Sequence, residues 1–227
     1  MNKTNLKSNY LRKLASVNDQ LCYFHFADEE VGKLIEELQV GDKSKTTTEI
    51  FPTNEFSKRI RVKFDELLQF RDSSKATTAG MSVSFGTEHL LYYLEDVIYL
   101  KLKISPVSES SKKYSSPEER MLNNLTHWGI TNVDTGIIKA IKYLRLRRNH
   151  IIHANSKINE KFERFLKKES YHLNKYWSAR TSIDGLDFSD RNVGKFTVNE
   201  VYTCMKLLRV CLEEIDILVG STFKNKI

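Results

Sequence analysis

Arg148, Asn149 and His153 lie within a turn and a half of chain, in the string Arg-Asn-His-Ile-Ile-His that starts at Arg148. Those three residue types can act on a phosphodiester. A guanidinium keeps its charge at any working pH and forks onto phosphate oxygens, and an imidazole, with an ordinary pKa of about 6.5, exchanges a proton near neutrality. The chemistry they suggest is RNA cleavage. Arg followed five positions later by His is common by chance, but requiring Asn directly after the Arg lowers the expectation to roughly 0.02 occurrences in a chain with 12 Arg, 15 Asn and 6 His.

Such a trio works only if a rigid element holds it. Residues from about Val133 to Asn155 contain no Pro and no Gly beyond Gly136, with Asn132 or Asp134 available as a cap, so they predict one helix of roughly 34 Å. Ile137, Ile141, Leu144, Arg148 and Ile151 follow at spacings of four, three, four and three, the stripe a helix turns toward a core or a partner. Arg148 thus stands where an apolar residue belongs, which costs free energy unless the guanidinium is paired or faces a wet cleft. Either Arg148 is a buried ion-pair partner of Glu95 or Asp96 on a helix from Glu88 to Leu102, or it faces phosphate. Asn149 and His153, four apart, share a face, so the amide can orient the imidazole. Arg148 and His153 are about 140° apart around the axis, so one helix builds half a site, and a composite pocket at a two-fold interface is expected.

The stretch Arg-Asn-His-Ile-Ile-His resembles the HEPN superfamily, small all-helical proteins marked by Arg, four to six residues, then His, often with Asn after the Arg. The resemblance implies a dimeric, metal-independent endoribonuclease of the kind found in toxin–antitoxin systems and phage defence. It implies that Arg148 and His153 are the catalytic pair with Asn149 as their support, and it allows for an antitoxin or another defence protein as partner. One branch carries a Tyr two residues after the His as a site of modification; here that position is Asn155, and regulation by that route is not expected.

With 227 residues the chain can bury roughly 70% of its unfolded surface in one domain. The expectation is a single all-α domain, residues 1–227, with a helical extension over 1–50 and a compact bundle with long central helices over 54–218. A net charge of +7 suits a polyanionic partner, RNA here, with Lys142, Arg145 and Arg147 as a phosphate-holding patch beside the motif. Cys22, Cys204 and Cys211 fit no disulfide framework and are expected as reduced core thiols. The chain shows no signal-peptide segment and no apolar run long enough for a membrane span, so a cytoplasmic protein without membrane association is the expectation.

With three prolines and nine glycines the chain reads as helical. Short helices are expected near Asn5 to Leu21 and Asp28 to Leu38, a loop over Val40 to Pro52, a helix over Asn54 to Phe70, a Ser/Thr/Ala/Gly linker over Arg71 to Ser84, and a helix from Thr87 to Leu102 packed on the motif helix. Ser116-Pro117-Glu118-Glu119 reads as a capping box with Pro at the first helical position, opening a helix to about Trp128 that Gly129 ends, and Thr197 to Glu200 forms another capping box for a final helix through Leu218. Between them Ile158 to Ser178 is basic and aromatic: a core stripe with a solvated basic face, or a strand-binding surface.

Cys22 with His25, and His150 with His153, have metal-site spacings but no second cluster completes them, so no metal site is expected. No Gly-rich phosphate loop, nucleophile elbow or dinucleotide fingerprint occurs, which speaks against ATP-dependent and acyl-transfer chemistry, and no cofactor is expected. The nuclease reading has His153 moving a proton while the 2′-hydroxyl attacks phosphorus, with Arg148 stabilising the phosphoryl oxygens. The alternative is a catalytically silent helical module that binds RNA or a protein.

Overall fold

Long stretches free of proline become long helices. A computed structural model describes residues 3–38, 41–104, 116–153, 156–180, 187–188 and 197–224, and those residues are all-α, with no strand among them. In chain order the helices are α1 (Lys3–Glu37), α2 (Thr47–Ile50), α3 (Ser57–Ile60), α4 (Leu67–Ile104), α5 (Pro117–His127), α6 (Thr135–His153), α7 (Ser156–Ser178) and α8 (Val198–Lys224), with a short 3-10 turn at Phe64–Glu66.

Two compact units share these helices: one contains 1–18 and 80–227, the other 19–79. In the first, α1, α4, α5, α6, α7 and α8 bury a continuous apolar core. It includes Leu6 and Leu14 of α1, Tyr93 and Ile98 of α4, Met121 and Leu125 of α5, Ile141 of α6, Phe162 of α7 and Leu208, Cys211 and Ile215 of α8. Cys204 and Cys211 are fully buried, as expected of core thiols, whereas Cys22 is exposed, a correction: it falls on the solvent side of α1.

The second unit departs further from the sequence expectation. The two short helices expected before Leu38 are one helix of 35 residues, because nothing between Leu21 and Asp28 breaks it. The loop expected over Val40 to Pro52 contains α2, whose Thr46 and Glu49 cap each other, the Glu49 carboxylate accepting the Thr46 N–H at 2.7 Å. The helix expected over Asn54 to Phe70 is interrupted where Arg61 takes the left-handed conformation, φ 50°. There Lys63 turns extended and bridges to Thr46, leaving Phe56, Ile60 and Leu68 exposed instead of in a stripe. Asp28 ties the unit together, accepting from Arg71 Nε at 2.7 Å and sitting 2.7 Å from Lys75 Nζ. Burial alone would raise the Asp28 carboxyl, but the bonds from Arg71 and Lys75 hold it below its usual range.

The Arg71 to Ser84 stretch, expected as a linker, is helical and belongs to the 38-residue α4. Its small residues serve packing: a Cβ on Gly80 would stand 3.0 Å from Ile151 Cγ2, so glycine lets α4 and α6 meet closely just where the motif lies. The expectations for α5, α7 and the Thr197 cap of α8 agree with the structure, and Gly129, at φ +80°, follows α5; the capping box expected at Ser116 does not form, since its side chain makes no cap bond and Pro117 alone marks the start, and α8 runs past Leu218 to Lys224. Asn155, the expected end of the motif helix, lies outside the described residues. No described helix is long and apolar enough to cross a membrane.

Candidate active site

The motif helix α6 starts where expected. Asp134 Oδ1 accepts the Gly136 N–H at 2.8 Å, closing the first turn, and Ile137, Ile141 and Leu144 are fully buried. A second buried row, Gly136, Ala140, Tyr143 and Arg147, runs beside it at spacings of four, three and four, so beyond Leu144 it is Arg147 and not Arg148 that stays in the core. The consecutive arginines therefore part, since successive helical residues point about 100° apart.

Arg147 goes inward and is 1% exposed. Its Nη2 donates to Glu200 Oε2 at 2.6 Å, and the other oxygen of the same carboxylate accepts the Tyr143 hydroxyl at 2.7 Å. The guanidinium also lies 5.6 Å from the Phe162 ring centroid. Arg147 was expected to hold phosphate; it is instead the cation of a buried ion pair. Arg145, expected in the same patch, is likewise engaged, its Nε and Nη2 donating at 2.9 Å and 2.6 Å to the fully buried carboxylate of Glu118. Lys142 is half-buried with its ammonium 5.8 Å from the Phe165 ring. The expected patch is thus reduced to Lys142, because neighbouring acids take both arginines.

Arg148 takes the other course. Its Nη2 donates to Glu88 of α4, and the two side chains remain 26% and 28% exposed. Neither acid proposed from sequence is the partner: Glu95 is exposed, and Asp96 accepts the Tyr10 hydroxyl at 2.8 Å. Arg148 Nη1 donates to Asn149 Oδ1 at 3.0 Å, so the amide orients the guanidinium, a role the sequence had given it toward the imidazole. The Nε of Arg148 is buried with no hydrogen-bond partner. His153 is the last residue of α6 and is exposed.

His150, between them in sequence, is half-buried with Nδ1 3.3 Å from Arg147 Nη1 and its ring 6.0 Å from that of Phe162. Burial, and then the charge of Arg147, push its pKa down and favour the neutral imidazole.

What this arrangement can do chemically is hold an anion on a partly exposed guanidinium, in exchange with Glu88, with a solvent-facing imidazole a turn and a half further on. Sequence reasoning did not find Glu88 or Glu200. Glu200 had been assigned to a capping box, and its backbone N–H does donate to the Thr197 hydroxyl oxygen at 3.2 Å, but its carboxylate goes to Arg147 and Tyr143. Glu88 carried a usable signal: Met81, Phe85, Glu88, Tyr92, Glu95 and Tyr99 recur at spacings of four and three along α4. Their four apolar members are all more than half exposed, so Arg148 reaches a residue on a solvent-facing aromatic stripe. No protein-family model, curated protein or solved structure matches this chain.

Proposed function

We propose that this protein is a metal-independent endoribonuclease of HEPN type. The observation that carries the reading is the placement of a partly exposed Arg148, oriented by Asn149, and an exposed His153 on the same helix. The RNA 2′-oxygen attacks the adjacent phosphorus as its proton leaves, the bond from phosphorus to the 5′-oxygen breaks, and that oxygen receives a proton, with His153 serving as general acid or base. Arg148 stabilises charge on the phosphoryl oxygens, displacing or sharing its bond to Glu88. The products are a 2′,3′-cyclic phosphate and a 5′-hydroxyl, and DNA, without the 2′-hydroxyl, is inert.

The site is composite in this reading, completed by a second copy. The exposed stripe of Met81, Phe85, Tyr92 and Tyr99, with Glu88 in its midst, supports such a contact, since contiguous exposed apolar surface marks interaction sites. A toxin or antiviral defence effector, held in check by a partner protein and acting in the cytoplasm, is the biological setting this reading implies.

One observation favours a second reading. The Arg148 and Glu88 pair gives the guanidinium's charge a counterion within the chain, as a catalytically silent RNA- or protein-binding module requires. Cleavage of an end-labelled mixed RNA in excess EDTA decides between them. Wild type should cut and leave cyclic phosphates, while Arg148→Ala and His153→Ala stay folded and do not cut. Equal inertness of all three would favour the silent module, and cutting by either variant would remove that residue from the mechanism.

A further inference from the structure

On α7 the basic and aromatic residues separate. Phe162, Phe165, Tyr176 and Trp177 are buried, while Lys161, Arg164, Lys168, His172 and Lys175 are exposed. These five recur at spacings of three, four, four and three, which places them within about 80° of arc over about 21 Å of helix. Tyr171, 72% exposed, flanks the row. Of the nearby acids, Glu160 and Glu163 lie to one side, Glu160 reaching Arg164 only at 3.8 Å between two exposed side chains, and Glu169 bonds Lys139 at 2.8 Å while also lying in the field of Lys168. Lys161, Arg164 and Lys168, at spacings of three and four, are like charges that oppose helix formation and would be relieved by an anion from outside the chain.

We propose that this face of α7 is a track for the phosphate backbone of single-stranded RNA, leading away from the motif, with Tyr171 as a platform for one base. The place of α7 favours RNA. It begins at Ser156, three residues after His153, and packs along α6, so the near end of the row adjoins the motif and the far end lies about 21 Å beyond. Extended strands bind such surfaces by charge and aromatic stacking without sequence readout. An anionic membrane is the weaker fit, because the apolar face of α7 that would enter a bilayer is buried in the protein. The track deepens the nuclease reading and rests on it for the choice of RNA, but its test reads binding alone.

The probe is a fluorescein-labelled mixed RNA of about 12 nucleotides, long enough to span the row. Its binding is followed by anisotropy across a salt series, in a His153→Ala background that spares the RNA. Lys161→Gln/Lys168→Gln/Lys175→Gln is compared with the control Lys43→Gln/Lys58→Gln/Lys63→Gln, which removes the same charge from exposed positions in the other unit. Thermal melts verify that both fold. Removing three phosphate contacts should make the slope of log K against log salt shallower by roughly 2, about a 100-fold loss of affinity near 0.1 M salt, while the control stays within about twofold of the parent. RNA binding that depends on the row without any cleavage by the wild type keeps the track and removes the nuclease. Cleavage by the wild type with unchanged binding by the row variant does the reverse. The track is also overturned if the parent does not bind RNA, if the control loses as much as the row variant, or if phosphatidylserine vesicles bind through the row and RNA does not.

Discussion

Adjacent arginines with opposite surroundings should respond in opposite ways to the same substitution. Arg147→Ala removes the cation from a pair in which the guanidinium is 1% and the Glu200 side chain 9% exposed, and leaves a carboxylate and the Tyr143 phenol in the core without it. Breaking a buried pair from one side costs about 3–5 kcal/mol, and in a chain of this length each kcal/mol lowers Tm by about 2–4 °C, so a fall of roughly 6–20 °C is expected. Arg148→Ala opens a pair whose members keep about a quarter of their surface in water, and such pairs contribute about 0–1 kcal/mol, or at most about 4 °C. Far-UV circular dichroism melts of the two variants, at one pH and salt concentration, make the comparison. Arg147→Met/Glu200→Met removes both charges while keeping volume and should recover much of the loss. Equal losses for the two single variants, or a larger loss at Arg148, would refute the assignment of Arg147 to structure and Arg148 to the solvent-facing site.

Two further outcomes follow from packing and titration. A Cβ on Gly136 would stand 2.6–2.9 Å from Cδ2, Cβ and Cγ of the buried Tyr176, atoms near the ring's root that cannot swing aside, so Gly136→Ala should cost about 1–3 kcal/mol; Gly41→Ala, with open space around it, should leave the same melt unchanged. The His150 imidazole, its pKa lowered by burial and by Arg147, binds a proton less tightly folded than unfolded. Its stabilising contribution is full above the unfolded pKa of about 6.5 and is lost as pH falls through the folded value. Tm should therefore drop on acidification from about pH 7.5 to 5. His89, lowered by burial and then by Lys13, adds to the drop, so the check is that His150→Gln shows a smaller one than wild type.

The helices around the motif were legible because their signals are local. Asp134 and Thr197 mark starts, Pro117 sits at the first turn of α5, and the apolar periods of α6, α7 and α8 run unbroken. The misread regions owe their form to distant residues. Ser, Thr, Ala and Gly over Arg71 to Ser84 look like a linker until Ile151 is seen against Gly80, and the Phe56 to Leu68 stripe cannot continue past an Arg61 in the left-handed region. The same limit applied to the site. Periodicity put Arg148 on the core face through Ile137, Ile141 and Leu144, but the face that is buried depends on which helices cover it, and past Leu144 only the neighbouring row through Tyr143 and Arg147 stays covered. No period in α6 names Glu88 or Glu200 as partners 60 and 53 positions away.

Glu200 sits in the first turn of α8, and through it that turn is fastened to the middle of the motif helix at both Arg147 and Tyr143. A helix grips its neighbours as a screw does: holding one residue sets the heading of the next by about 100°. The direction in which Arg148 leaves α6 is therefore set by an acid on α8 that never meets it. Whatever loosens the first turn of α8 removes one of the anchors that set the rotation of α6 about its own axis, leaving the Arg145 and Glu118 pair on the other side to hold the aim of the guanidinium.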